Sequence, residues 1–283
     1  MSKNRRNNER ERKRRLTLPA AIALITLLAL TTAEALHSNL SLTVSRYTIR
    51  SEKVCGALRV VFLSDLHGRE FGADNGRLVE LIAAEQPDLI ALVGDIFNRN
   101  ADENEIDRMC ALIGEITKIA PVYFGLGNHE AEYIQTHETD LVDRVRNSGA
   151  VVLESEYLDV EINGTPLRIG GYMGYYRQPQ MTTADLQQRE LELAFADAFE
   201  DTDHLTLLLN HIPTAWLDWH YIDKHPVDLV LSGHYHGGLI RIPVLDRGVI
   251  APNIGLFPPY TKGPTWDVSL EKFIKNSLQP GSF

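Results

Sequence analysis

The feature that most constrains this chain is an apolar run that ends abruptly in polar residues, Val60-Val61-Phe62-Leu63-Ser64-Asp65-Leu66-His67-Gly68. A continuous apolar run of this length is typical of a strand that is buried on both faces of an α/β sheet. Sites in such sheets lie just beyond the carboxyl ends of the strands, where Asp65 and His67 stand. Alternate residues of an extended chain project to the same side, so this carboxylate and imidazole could bind one ion. A loop aspartate beside a surface histidine is the alternative, and this motif alone does not exclude it.

Four further apolar runs follow the same pattern. They end in Gly94-Asp95, in Gly127-Asn128-His129-Glu130, in Asn210-His211 and in Ser232-Gly233-His234-Tyr235-His236. Of the 10 histidines in the chain, half lie at the ends of the five runs: His67, His129, His211, His234 and His236. Scattered core or surface histidines would not give this distribution. The sequence therefore predicts one cluster of oxygen and nitrogen ligands at the carboxyl edge of a sheet.

The segments between the runs have helical spacing, most clearly around residues 78–82 and 106–116. This β-α-β-α-β alternation predicts a largely parallel sheet. Later, Leu158, Val160 and Ile162 alternate up to Asn163-Gly164. That pattern predicts a hairpin and a second, antiparallel portion of the fold. Residues 181–199 have the spacing of an amphipathic helix.

The motif series resembles that of the calcineurin-like metallophosphoesterase family over roughly residues 58–262. It consists of Asp65-x-His67, Gly94-Asp95, Gly127-Asn128-His129-Glu130, His211 and Gly233-His234-x-His236. Gly-Asn-His-Glu and Gly-His-x-His are specific even in isolation, whereas Gly-Asp is not. The resemblance implies an α/β fold, a four-layer α/β/β/α sandwich, and a hydrolase of phosphoric ester bonds.

The resemblance also implies a centre of two divalent metal ions. One ion is expected on Asp65, His67, Asp95 and His236, and the other on Asp95, Asn128, His211 and His234. These ligand types suit manganese, iron or zinc, and no thiolate is offered. A hydroxide that bridges the ions is expected to attack phosphorus. By family analogy, His129 protonates the leaving oxygen; the alternative role is support of the neighbouring ligands.

Candidate substrate contacts are less specific. Arg69 and Arg177 could bind phosphate oxygens with two hydrogen bonds each, although surface arginines are common. Two aromatic loops, residues 172–176 and 256–260, could form an apolar wall for a lipid or nucleoside, or could pack on each other. For Glu130 we expect structural hydrogen bonds.

The N-terminal region predicts a membrane anchor. Residues 1–15 carry a net charge of +6, and no charged residue follows until Glu34. The apolar stretch has about the minimum length for a span, and the basic flank predicts a cytoplasmic N-terminus and an exported body. A cleaved signal peptide with Ala33-Glu34-Ala35 as its cleavage site is the alternative. The fold is thus expected to carry an N-terminal transmembrane helix, in a single-pass protein of the cell membrane.

The body of the chain is acidic. The whole chain carries −10, so the part beyond residue 15 carries −16. Nucleic acid binding is not expected, because phosphates would be repelled. A phosphate substrate remains compatible, because bound divalent cations reverse the local sign. Cys55 and Cys110 could form a disulfide in an exported protein, but two buried free thiols are the simpler interpretation.

We expect a membrane-anchored phosphoesterase, more specifically a phosphodiesterase. The anchored bacterial branch of the family includes proteins similar to UDP-2,3-diacylglucosamine hydrolases, which suggests a lipid-linked pyrophosphate as substrate. A phosphoprotein phosphatase and a non-catalytic binding scaffold are the alternatives. The expected organisation is a basic tail (1–15), a signal anchor (16–36), a lead-in segment (37–57), the phosphoesterase domain (58–265) and a divergent tail (266–283). From the resemblance, strands that relatives add at this point are expected to be missing or replaced by this polar tail, whose spacing is helical.

Overall fold

The computed structural model describes residues 19–30, 32–33, 42–137, 139–172, 194–214, 225–239, 241–242, 247–252 and 254–264. The chain divides into two compact units. The larger contains Tyr47–His236 and Lys262–Phe283, and the smaller contains Met1–Arg46 and Gly237–Thr261. Every predicted metal ligand belongs to the larger unit.

The first sheet of the larger unit is parallel throughout. Its strands lie in sequence order: β1 (Val60–Leu63), β2 (Leu89–Val93), β3 (Val122–Gly125) and β4 (Val151–Leu153). All residues of the inner strands β2 and β3 are buried. This burial on both faces explains why the strands appear in the sequence as unbroken apolar runs. The predicted β-α-β-α-β order is confirmed.

Helices connect these strands. They are α1 (Gly76–Glu85), preceded by a 3₁₀ turn (Ala73–Asn75), α2 (Glu103–Ile116), α3 (Asn128–Thr136) and α4 (Leu141–Asn147). α2 begins after Asp102, whose side chain accepts a hydrogen bond from the Glu105 N–H at 2.8 Å, as a good N-cap does. Because sequential parallel strands are neighbours, right-handed connections place the helices on one face of the sheet.

The second sheet has the order β5 (Glu156–Ile162), β6 (Thr165–Gly171), β7 (Leu205–Leu209) and β8 (Leu229–Leu231). β5 and β6 are antiparallel, whereas β6, β7 and β8 are parallel. The hairpin turns at Asn163 and Gly164, with φ of 52° and 75°. A type I′ turn requires positive φ at both positions. The predicted Asn-Gly hairpin is confirmed.

The two sheets pack face to face around a common core. Leu89 and Val93 of β2 project into a cluster that also contains Ile169 of β6 and Leu207 of β7. Ile90, which points to the opposite face of β2, is also fully buried. That face is the one that the helices cover.

The outer face of the second sheet is also covered. Residues 194–200 form a helix, and its Phe199 packs against Leu208 of β7. The expected α/β fold with two packed sheets is confirmed. Residues 181–193 of the predicted amphipathic helix lie outside the described residues.

In the lead-in segment, the spacing of Leu42, Val44, Tyr47 and Ile49 predicts a short extended segment that joins the edge of the sheet. Residues 42–50 form neither helix nor strand, so they do not extend the edge of a sheet. Polar contacts attach the following residues instead: Lys53 Nζ lies 2.8 Å from Asp228 Oδ2, and the Cys55 N–H donates to Thr165 Oγ1 at 2.9 Å. Both cysteines are free thiols, as expected, but Cys55 is exposed and Cys110 only half-buried.

The smaller unit contains four two-residue strands in antiparallel pairs, β9 (Arg241–Ile242) with β10 (Arg247–Gly248), and β11 (Ile250–Ala251) with β12 (Gly255–Leu256). Residues 19–30 and 32–33 are helical. Among the described residues, no helix combines the length and the apolar character needed to cross a membrane. The predicted basic tail (1–15) and divergent tail (266–283) lie outside the described residues.

Candidate metal centre

The loops that follow β1 and β2 lie side by side, which brings their polar residues together. The N–H of Asp65 donates to the carbonyl of Gly94 at 3.1 Å, and the N–H of His67 donates to that of Asp95 at 2.9 Å. These bonds continue the parallel pairing beyond the strand ends. The other predicted ligands follow β3, β7 and β8: Asn128, His211, His234 and His236.

Several of these residues adopt an unusual backbone conformation. Positive φ angles occur at Asp65 (57°), His67 (49°), Asp95 (53°), His234 (71°) and His236 (49°). Such conformations cost a non-glycine residue about 1–3 kcal/mol and cluster at functional sites. The surrounding structure therefore holds these side chains in place at the expense of backbone stability.

The side chains form groups that are compact enough to bind cations. Within each group, one ligand atom per residue lies within 4.8 Å of the others. The groups are Asp65, His67 and His236; Asp95, His211 and His234; and His67, Asp95 and His129. The first two groups are subsets of the two ligand sets predicted from the sequence.

Two buried polar atoms fit a role as metal ligands. His67 Nε2 and Asn128 Oδ1 are buried atoms without a hydrogen-bond partner. A buried polar atom without a partner costs about 1–3 kcal/mol. Both belong to predicted ligands, and imidazole nitrogen and amide oxygen are donors that manganese, iron or zinc accept. The donor set therefore fits divalent cations.

Neighbouring groups orient these ligands. His211 Nδ1 lies 2.7 Å from the carbonyl of Val93. A carbonyl only accepts, so Nδ1 donates and Nε2 is directed towards Asp95, 3.2 Å from its Oδ2. Asp65 accepts hydrogen bonds from Ser64 Oγ at 2.6 Å and from the His234 N–H at 2.9 Å.

The charges of the centre are strongly coupled. Burial alone would raise the pKa of Asp95, but the adjacent His211 lowers it to about 2. Burial alone would lower the pKa of His211, but the adjacent Asp95 raises it to about 9. Burial, and then the charge of His211, lower the pKa of His234 to about 4. The metal-free protein therefore contains an Asp95 carboxylate paired with a His211 imidazolium, and cation binding must displace the His211 proton.

Glu130 is fully buried and holds the loop after β2. Its carboxylate accepts main-chain N–H groups of Asp95, Ile96, Phe97 and Gly127 at 2.8–3.0 Å. Burial, with the charge of Asp95, raises the pKa of Glu130, while the N–H donors oppose that shift. The structural role expected for Glu130 is confirmed by these contacts.

His129 lies at the centre without belonging to either predicted ligand set. Its N–H donates to Asp95 Oδ1 at 2.9 Å, and its Nδ1 lies 3.1 Å from Nδ1 of His67. Burial lowers the pKa of His129, and the charge of Arg99 adds to this. The guanidinium of Arg99 lies 2.8 Å from His129 Nε2, and a guanidinium only donates.

Sequence reasoning missed Arg99. It also contacts Glu132 at 2.8 Å, so its guanidinium spans two side chains of α3. Its position four residues after Asp95, in the same loop, is the signal that could have revealed it. By contrast, Arg69 lies with its guanidinium 5.6 Å from the centre of the Phe71 ring, and it is not part of the groups above.

The remaining predicted substrate contacts fall largely outside the described residues. Arg177 lies there, as do residues 173–176 of the first aromatic loop. Tyr172 stacks on Phe195, which lies in the helix 194–200 and in neither loop, with ring centroids 5.6 Å apart. Leu256, Phe257 and Tyr260 of the second loop are exposed residues of the smaller unit.

A sequence model of the family described as calcineurin-like phosphoesterase matches residues 58–238. The chain belongs to this family. The match contains every predicted metal ligand, so this phosphoesterase carries its candidate centre within the family region. The predicted membership of the calcineurin-like phosphoesterase family is confirmed.

Relatives of this phosphoesterase occur in Bacillus subtilis and Escherichia coli, among other organisms. It is 28% identical over 189 residues to YkoQ of Bacillus subtilis, which is described as an uncharacterized metallophosphoesterase. The aligned region covers 66% of this chain and 63% of YkoQ. It is 23% identical over 196 residues to phosphodiesterase YaeI of Escherichia coli, covering 67% and 64%. The chain thus spans less than two thirds of either relative. TT1561 of Thermus thermophilus shows 18% identity and a TM-score of 0.42, with 62% and 81% of the chains covered.

Proposed function

We propose that this phosphoesterase is a metal-dependent phosphodiesterase with a centre of two divalent ions. The observation that carries the proposal is the pair of buried ligand atoms without hydrogen-bond partners, His67 Nε2 and Asn128 Oδ1, at the edge where the aspartates converge. One ion would be held by Asp65, His67, Asp95 and His236, and the other by Asp95, Asn128, His211 and His234. When bound, such ions polarise a phosphoryl group and lower the pKa of water.

The residues around the centre divide the remaining tasks. Asp95 is fixed between the two ligand sets, because its Oδ1 accepts the His129 N–H and its Oδ2 faces His211. His129 would give a proton to the leaving oxygen. Arg99 extends next to His129, where its guanidinium can bind phosphate oxygens with paired hydrogen bonds.

The preference for a diester is supported by the name of the Escherichia coli relative, a phosphodiesterase. A lipid-linked pyrophosphate like UDP-2,3-diacylglucosamine is the substrate that we propose to test first, since fold and family do not fix substrate. The assay compares bis-p-nitrophenyl phosphate, p-nitrophenyl phosphate and the UDP-linked lipid with added manganese. Faster turnover of the diester than of the monoester is expected. A preference for the monoester, or no hydrolysis of any of the three, would contradict the proposal.

We also propose that residues 16–36 anchor the protein in the cell membrane, with the N-terminus in the cytoplasm and the body outside. The basic residues 1–15 support this orientation, and so does the exposure of Leu24 and Leu28 on the N-terminal helix. A protease added to intact cells should degrade the body and spare residues 1–15. Protection of the body would refute this topology.

A further inference from the structure

Glu105 contacts both ligand-bearing loops, although it belongs to neither. It lies in the first turn of α2. Its Oε1 accepts the main-chain N–H of Asn98 at 2.7 Å, and its Oε2 accepts Asn98 Nδ2 at 3.0 Å. A β-carbon on Gly68 would overlap the carboxyl group of Glu105. The carboxylate therefore binds the loop after β2 and fills the space beside the loop after β1.

Asn98 transmits this contact to the centre. Its Nδ2 also donates to the main-chain carbonyl of His67 at 2.7 Å. The next residue, Arg99, has its guanidinium 2.8 Å from His129 Nε2. Glu105 is thus connected through Asn98 to the predicted ligand His67 on one side, and through Asn98 and the adjoining Arg99 to His129 on the other.

The local backbone is shaped around this carboxylate. Gly68 has φ of 66° and donates its N–H to the carbonyl of Ile96 at 2.8 Å. A residue with a side chain would be disfavoured here by its conformation and would also displace Glu105. Glycine at 68 therefore leaves room for the carboxylate of Glu105 beside the loop after β1.

We propose that Glu105 is a positioning residue of the metal centre. Through Asn98 it sets the separation of His67 and His129, whose Nδ1 atoms lie 3.1 Å apart. The proposal rests on the proposed function, in which His67 binds an ion and His129 donates a proton. Groups that orient metal ligands from behind typically change metal affinity or activity by about 10–100-fold when they are substituted.

A purely structural role for Glu105 is the competing explanation, because an acidic residue in the first turn of a helix favours the helix by itself. Glu103 offers the matched control. It lies in the same turn of α2, but its carboxylate binds Arg144 at 2.7 Å. Glu103→Gln removes the same charge from the same helix terminus without touching either ligand loop.

The test measures the affinity of the metal-free full chain for manganese. It compares the wild-type protein with four variants: Glu105→Gln, Glu103→Gln, Asn98→Ala, and the protein that carries both Glu105→Gln and Asn98→Ala. Glutamine at 105 keeps one acceptor but turns an amide N–H towards Asn98 Nδ2. We expect Glu105→Gln to weaken manganese binding by about 10–100-fold and Glu103→Gln to change it by less than about twofold. The doubly substituted protein should bind no more weakly than the weaker single variant, because both changes break one connection.

Turnover of bis-p-nitrophenyl phosphate at saturating manganese gives a second readout, in which kcat should fall for Glu105→Gln and stay unchanged for Glu103→Gln. Three outcomes would overturn the positioning role. Wild type and Glu105→Gln could bind manganese equally well, or Glu105→Gln and Glu103→Gln could lose the same manganese affinity. The third outcome is a loss of affinity in the doubly substituted protein that equals the sum of the two single losses. If Glu105→Gln does not fold, Asn98→Ala replaces it in the test. Manganese affinity equal to that of wild type in Asn98→Ala would then overturn the positioning role. Absence of manganese binding in wild type would refute the proposed function itself, and the positioning role with it.

Discussion

Replacing Glu130 with glutamine tests how far the metal-binding loop depends on one buried carboxylate. Oε1 of Glu130 accepts the N–H groups of Ile96 and Phe97, and Oε2 accepts those of Asp95 and Gly127. Glutamine keeps one acceptor oxygen, so two of these N–H groups lose their acceptor and face an NH₂ group. Each buried N–H without a partner costs about 1–3 kcal/mol. We therefore expect the free energy of unfolding to fall by about 2–6 kcal/mol.

Urea unfolding of the metal-free protein, followed by circular dichroism, measures this loss. Glu132→Gln is the matched control, because Glu132 lies on the same helix and its bond to Arg99 joins two exposed side chains. Surface ion pairs contribute about 0–1 kcal/mol, so the control should unfold nearly as wild type does. A loss in Glu130→Gln as small as that in the control would show that the four hydrogen bonds do not hold the loop.

Three further predictions concern the centre itself. His129→Ala should keep its metal, because Asn128 is the predicted ligand. It should slow hydrolysis of an alkyl phosphodiester by about 10²–10⁴-fold and hydrolysis of a nitrophenyl diester by less. Equal slowing of both reactions, or loss of metal, would refute the proton-donor role. Asp95→Asn removes a charge shared by both ligand sets, so metal content and turnover should fall together in metal analysis and rate assays; full occupancy would argue against the shared position. The pKa of His211 is raised to about 9. Its contribution to the stability of the metal-free protein is therefore fully present below about pH 6.5 and is lost as the pH rises through about 9. Urea unfolding at several pH values should show this decline in stability, and His211→Gln should remove the decline.

Much of the centre was predictable because strand burial and ligand position are both local in sequence. β2 is buried on both faces, so it appears as an apolar run that ends in Asp95. The same logic located His67, His211 and His234. The Asn163-Gly164 turn was predictable because few residue pairs tolerate two positive φ angles.

Contacts between distant side chains were not predictable in the same way. Glu105 appears in the sequence as one more acidic residue at the start of a helix, and only the fold brings its carboxylate to Asn98. Arg99 lies in a loop, where no periodic pattern of apolar residues indicates its position, and its partners His129 and Glu132 lie on α3. The expectation that the lead-in segment joins the edge of the sheet was wrong for a related reason: Tyr47 and Ile49 alternate as in a strand, but both are exposed and pair with no strand.

Metal analysis of the purified full-length protein tests the central claim most directly. The account predicts about two equivalents of manganese, iron or zinc per chain, with loss of diester hydrolysis after chelation and recovery when metal is restored. A protein freed of metal that hydrolyses the diester at its full rate would contradict the account.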